Sequence, residues 1–168
     1  YITDLISLCL EDQCKVMPIK ASAKVAVGVN TQSELAKATK LLFLRKARRL
    51  MEEGVLIIDP NATYIEESVQ VGTGSVIYPN VFLKGRTKIG SFTVIEPQVF
   101  MSDAEIGDSV QIRAGTYIEQ TIVQAKASVG PYARLRPETN IGEEAHVGNF
   151  VEMKKVSLVE NPNAITND

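Results

Sequence analysis

The stretch IEESVQVGTGSVIYPNVFLKGRTKIGSFTVIEPQV at residues 65–99 decides how this chain folds. Ile65, Val71, Ile77, Leu83, Ile89 and Ile95 recur every six positions. Four residues after each stands a small or β-branched residue: Val69, Ser75, Val81, Thr87, Thr93 and Val99. The beat continues at Ile106, Ile112, Ile118, Val129, Leu135, Ile141 and Val147. Their partners are Val110, Thr116, Ile122, Ala133, Thr139, Ala145 and Val151, giving thirteen repeats in all. Hexapeptide periodicity of this kind predicts a mainly β chain coiled as a parallel β-helix, three hexapeptides to a turn. The steps from Ile95 to Ile106 and from Ile118 to Val129 are eleven residues rather than twelve, which reads as one-residue deletions at corners.

The turn residues fall where corners need them. Pro79, Pro97, Pro131 and Pro137 lie two after an aliphatic position. Gly72, Gly90, Gly107, Gly130, Gly142 and Gly148 lie one after it. A corner amide need not join a ladder, so proline is tolerated there, and glycine reaches corner dihedrals that cost other residues energy.

Upstream of the beat the organisation changes. Residues 1–13 read as a helix with Ile2, Leu5, Ile6, Cys9 and Leu10 on one face, followed by short β-like runs at Val16–Ile19 and Val25–Val29. These pieces are too small to enclose a core, so a parent domain is expected upstream of Tyr1. Thr31 and Glu34 then form a T-x-x-E capping box. A helix of about 22 residues follows, near 33 Å long, ending at Gly54, and reads as a rigid connector. The basic cluster Arg45, Lys46, Arg48 and Arg49 on it reads as a solvated face, because no aromatic interleaving accompanies it. Three segments are expected: a domain remnant over 1–32, a linker helix over 33–53, and a β-helix from 54 to 168.

Charge and cysteine content narrow the functional classes. The net charge of −2 offers no attraction to nucleic acid or an anionic membrane. It is unevenly spread, with nine basic against six acidic residues before Val55 and nine against fourteen after it. Cys9 and Cys14 lack the four-ligand spacing of a zinc site and read as reduced thiols, which favours a cytoplasmic compartment. No apolar run approaches the roughly 20 residues of a membrane span.

The beat also places side chains in space. Residues 18 apart on adjacent coils stack at about the inter-strand spacing of 4.8 Å. Arg136 and Lys154 are such a pair, each one step past an inward residue. Two stacked cations without a carboxylate between them favour an anion, and a phosphate fits an arginine fork beside a lysine. On spacing alone, ordinary surface charge is an equal reading. Arg134 stacks on Glu152 at the same offset and reads as a structural ion pair.

The run GPYARLRPETNIGEEAHVGNFVEMKK at residues 130–155 is more specific. It resembles the acetyltransferase domain of the bacterial bifunctional N-acetylglucosamine-1-phosphate uridyltransferase and glucosamine-1-phosphate acetyltransferase family. YITD at 1–4, GVN at 28–30 and GVLIIDP at 54–60 follow that family's order of elements. The resemblance implies a left-handed β-helix, a homotrimer and two reactions serving cell-wall precursor synthesis. Glucosamine-1-phosphate is acetylated from acetyl-CoA, and uridylyl is then transferred from UTP with Mg²⁺ to N-acetylglucosamine-1-phosphate. By the same resemblance Arg136 and Lys154 bind the sugar phosphate, and Asn30 helps hold Mg²⁺ and the sugar nucleotide. The family's general-base histidine aligns with Thr166, whose hydroxyl cannot accept a proton near neutral pH. His146, the only histidine, reads as a structural side chain. The glycine-rich nucleotide loop is expected before Tyr1 and the acetyl-CoA segments after Asp168, so this chain alone is expected to be inactive. Two alternatives stand beside this reading: a different sugar nucleotidyltransferase with a β-helical oligomerisation domain, and a non-enzymatic trimerisation scaffold.

Overall fold

A computed structural model describes residues 4–20 and 28–158. The chain divides into two units, Tyr1–Ala38 and Thr39–Asp168. The first contains α1 (Asp4–Glu11) and the opening turns of α2 (Gln32–Glu52); the second contains the rest of α2 and a solenoid. Val16–Ile19 forms no strand and is exposed throughout. A strand needs a neighbour to take its amides and carbonyls, and none pairs with it among the described residues. The second expected run falls mostly at 21–27, outside the described residues. Thr166 and the N-terminal YIT also lie outside them.

The capping box forms as expected. Glu34 Oε2 accepts from the amides of Asn30 and Thr31, both at 2.9 Å, and the Glu34 amide donates to Thr31 Oγ1 at 3.2 Å. These bonds satisfy donors that a helix start leaves free.

Among the described residues the solenoid has eighteen short strands in three parallel sheets of six. The first sheet stacks β1 (Leu56–Ile57), β4 (Val76–Ile77), β7 (Val94–Ile95), β10 (Gln111–Ile112), β13 (Ser128–Val129) and β16 (His146–Val147). The second stacks β2 (Thr63–Ile65), β5 (Val81–Lys84), β8 (Phe100–Ser102), β11 (Tyr117–Glu119), β14 (Arg134–Leu135) and β17 (Glu152–Met153). The third stacks β3 (Gln70–Val71), β6 (Lys88–Ile89), β9 (Glu105–Ile106), β12 (Thr121–Val123), β15 (Thr139–Ile141) and β18 (Ser157–Leu158). Each coil visits the sheets in turn, which is the parallel β-helix the beat predicts.

Ile65, Ile77, Leu83, Ile95, Ile112, Ile118, Leu135 and Ile141 fill the dry interior. Burial of such a side chain is worth about 1.5–3 kcal/mol before entropy is counted. Met101 and Val123 are equally buried, Met101 six residues after Ile95 and Val123 six before Val129. Met101 precedes Ile106 by five residues and Val123 follows Ile118 by five, so both deletions fall at the corner between the second and third sheets. The phase shift has a second consequence. Thr121, not Ile122, turns inward as the small corner residue, and Ile122 is left exposed.

Of the basic cluster on α2, Arg45, Arg48 and Arg49 are exposed as expected, and Lys46 alone departs from that reading. Lys46 is buried and donates to the Glu67 carbonyl at 3.1 Å. Arg49 reaches Glu67 Oε1 at 2.6 Å, and Arg45 lies 4.0 Å from Oε2. Burial and the neighbouring Arg49 cation lower the Lys46 pKa from the usual lysine value. Ala47 and Leu50 are buried on the same stretch, and Phe43 meets Tyr64 edge-to-face at 5.7 Å. This part of α2 therefore seals the lower end of the core, with its cations clamped on a glutamate of the first coil.

Candidate functional site

The two strands carrying Arg136 and Lys154 are adjacent in the second sheet. β14 pairs with β17 so that Arg134 faces Glu152 and Leu135 faces Met153. One step further along the ladder, Arg136 falls opposite Lys154, and the Arg136 amide donates to the Met153 carbonyl at 2.9 Å. Both cations thus sit on one corner, between the second and third sheets, in consecutive coils. The turn residue that follows, Glu138 or Lys155, takes the left-handed conformation in each coil, with φ of 67° and 54°.

The charges around them are only partly matched. Glu152 Oε1 lies 3.3 Å from Arg136 Nη1 and 3.9 Å from Arg134 Nη1. The expected Arg134–Glu152 pair exists, but the closer partner is Arg136, so that arginine is not free of a carboxylate. Lys155 pairs with Glu138 at 3.4 Å. Lys154 makes no ion pair among the described residues and is exposed. Four cations at this corner therefore share two carboxylates. Such an arrangement can orient an arginine and still offer net positive charge to an anion.

The face beneath is aromatic. Tyr117 stacks on Phe100 with ring centroids 4.4 Å apart, and the Arg134 guanidinium lies 5.8 Å from the Tyr117 ring. The Tyr117 hydroxyl donates to Glu119 Oε1 at 3.2 Å. Burial, reinforced by Glu119, raises the Tyr117 pKa above the ordinary phenol value. His146 lies on the first sheet, opposite Ser128, and is exposed there, on a different face from Arg136 and Lys154.

Asn30 belongs to the other unit. It is exposed, and its amide joins the α2 cap. Among the described residues no three His, Cys, Asp or Glu side chains converge to hold a metal. A single neutral carboxamide does not make a Mg²⁺ site, which draws on carboxylate and phosphate oxygens. Cys9 and Cys14 are free thiols. No described helix is long and apolar enough to cross a membrane.

Comparison with known proteins matches residues 58–163, nearly the whole solenoid, to the GMPPB C-terminal domain. The chain belongs to the GMPPB C-terminal domain family. Within the reach of that family, the bifunctional protein GlmU of Bdellovibrio bacteriovorus is 67% identical over 94% of this chain, which covers 34% of that relative. The bifunctional protein GlmU of Anaeromyxobacter sp. is 44% identical over 94% of the chain, covering 32% of its own length. The resemblance read from RLRP and HVGNFVEMKK is borne out, and the chain spans about a third of the length of these curated relatives. Among solved structures, the acetyltransferase domain of PglB from Neisseria gonorrhoeae, in complex with acetyl coenzyme A, superposes with a TM-score of 0.54. It is 18% identical and aligned over 71% of this chain and 65% of its own, so the likeness to this member of the wider β-helix group is one of fold.

Proposed function

We propose that this chain serves a bifunctional enzyme of the GlmU type, with the corner bearing Arg136 and Lys154 as the phosphate end of its acetyltransferase site. The substrate bound there is glucosamine-1-phosphate. Arg136 grips two phosphate oxygens, Lys154 adds a point charge, and the anchored sugar presents its amine for acetylation. Acetyl-CoA supplies the acetyl group. The product, N-acetylglucosamine-1-phosphate, then receives uridylyl from UTP with Mg²⁺, and Asn30 contributes to that second site. No step through Mg²⁺ follows from the described residues. The segments are a uridyltransferase remnant over 1–32, a linker helix over 33–53 and an acetyltransferase β-helix over 54–168. The enzyme acts as a cytoplasmic homotrimer, without nucleic-acid or membrane partners.

The observation that carries this reading is the register that sets Arg136 against Lys154, with Lys154 lacking an ion pair among the described residues. Identity of 67% to a bifunctional relative supports it. With Thr166 where a general-base histidine is expected, the chain alone binds the substrate without turning it over. Calorimetric titration of the chain with glucosamine-1-phosphate tests this. Saturable binding that Arg136→Ala and Lys154→Ala each weaken supports the proposal. Binding that neither substitution changes, or acetyl transfer by the chain alone, contradicts it.

A further inference from the structure

Arg136 is held by its backbone as well as by Glu152. Its amide donates upward to the Met153 carbonyl at 2.9 Å. Its own carbonyl faces down, toward the coil beneath, where Thr121 Oγ1 lies 3.2 Å away. The same hydroxyl lies 2.8 Å from the Glu119 carbonyl. One hydroxyl hydrogen is therefore shared between two carbonyls of consecutive coils, a three-centre bond. Thr121 is only 2% exposed, so it cannot touch a ligand itself.

The same corner position recurs along the solenoid. Thr87 Oγ1 donates within its own coil, to the Lys84 carbonyl at 2.6 Å, and accepts from the Ala104 amide of the next coil at 3.3 Å. Ala104 has no hydroxyl. Thr139 Oγ1 is buried and bonds to nothing among the described residues. In this column only the Thr121 hydroxyl bonds up to a carbonyl of the next coil, and the carbonyl it reaches is that of Arg136.

We propose that Thr121 is a positioning residue for phosphate binding, acting through the backbone of Arg136. With the amide tied above and the carbonyl tied below, the Arg136–Pro137 peptide has one orientation, and Pro137 restricts the next φ. The guanidinium then leaves the corner in the direction that Glu152 secures. Removing the hydroxyl frees the carbonyl end of this clamp and leaves Arg136 to sample orientations that a bound phosphate must reorder. This inference rests on the reading of Arg136 as a phosphate ligand.

The test is calorimetric titration of glucosamine-1-phosphate into the chain and its Thr121→Val, Thr121→Ser, Thr139→Val and Arg136→Ala variants, with circular dichroism to verify folding. Valine keeps the volume and branching of threonine, and we expect it to weaken binding about fivefold, the factor one ordinary hydrogen bond supplies. Serine restores the hydroxyl and the affinity. Thr139→Val removes from the same column a hydroxyl that makes no hydrogen bond to Arg136 among the described residues, and leaves affinity unchanged. If valine disturbs the fold, Thr121→Ala takes its place, since Ala104 already occupies this position one coil below. Unchanged affinity in the Thr121 variants alongside weakened Arg136→Ala overturns the positioning role and leaves the phosphate site standing. Equal loss in Thr139→Val overturns it too, by making the effect one of general packing. Unchanged affinity in Arg136→Ala, or no binding by the unsubstituted chain, overturns the phosphate reading and this inference with it.

Discussion

Arg136 Nη1 lies 3.3 Å from Glu152 Oε1, on a strand that the sheet register also sets beside Lys154. On the proposed reading, this pair divides the labour at the corner. Arg136 is the oriented member, with a carboxylate fixing its fork, while Lys154 carries the charge that no described side chain offsets. Arg136→Lys keeps the charge but loses both the fork and its fit to Glu152. We expect it to weaken glucosamine-1-phosphate binding by about 1–2 kcal/mol, well beyond what loss of a point contact at an exposed site costs. Titration of this variant against the unsubstituted chain checks it; equal affinity would mean that charge alone matters.

Coil-to-coil contact sets the cost of a methyl group at Gly90. A Cβ there would come 2.6 Å from the Gly107 carbonyl carbon and 2.7 Å from the Asp108 amide nitrogen, both backbone atoms. Neither can retreat without stretching the 2.8 Å bond from the Gly90 amide to the Ile106 carbonyl. Gly90→Ala should destabilise the solenoid by about 2 kcal/mol, in the range of overpacked cores. At Gly148 a Cβ meets nothing within 4 Å among the described residues. Gly148→Ala should change stability by less than about 0.5 kcal/mol, like other unencumbered sites. Denaturant unfolding of both variants checks the contrast, which vanishes if the coils tolerate a methyl equally at both.

How far these contacts could be read in advance depends on coil length. The inward column from Ile65 to Ile95 was legible because no deletion interrupts it. Arg136 and Lys154 were legible for the same reason, with an unbroken 18-residue step from Leu135 to Met153. Thr121 was hidden because a corner one residue short shifts the phase, and a fixed six-residue count from Ile118 assigns Ile122 to the interior. Met101, six after Ile95, and Val123, six before Val129, keep the count on either side of the short corners. Two ion-pair arrangements were also hidden. The Arg136–Glu152 contact spans 16 residues, a diagonal across the corner and not a stacking offset. The docking of Lys46 and Arg49 on Glu67 depends on where α2 lies against the first coil, which periodicity within either element does not encode.

The α2 cap has a pH signature. The Asn30 amide, then the Thr31 hydroxyl and amide, bond the Glu34 carboxylate and hold its pKa below the usual carboxylate value. A carboxyl whose pKa is lower folded than unfolded contributes stability that is complete above the unfolded pKa. That contribution is lost as pH falls through the folded one. Amide exchange at Asn30 and Thr31 should therefore be slow near neutral pH and accelerate relative to the rest of α2 as the solution is acidified below the ordinary glutamate range. Glu34→Gln should remove that pH dependence. An unchanged profile in the variant would show that the carboxylate does not govern the cap.

The central claim is that the Arg136–Lys154 corner is a phosphate site, and a crystal structure of the chain with glucosamine-1-phosphate tests it most directly. The account predicts the phosphate at that corner, with oxygens within hydrogen-bond distance, about 2.7–3.2 Å, of the Arg136 guanidinium and of Lys154 Nζ. A sugar phosphate bound elsewhere, with Arg136 still paired to Glu152 and Lys154 facing solvent, would contradict it.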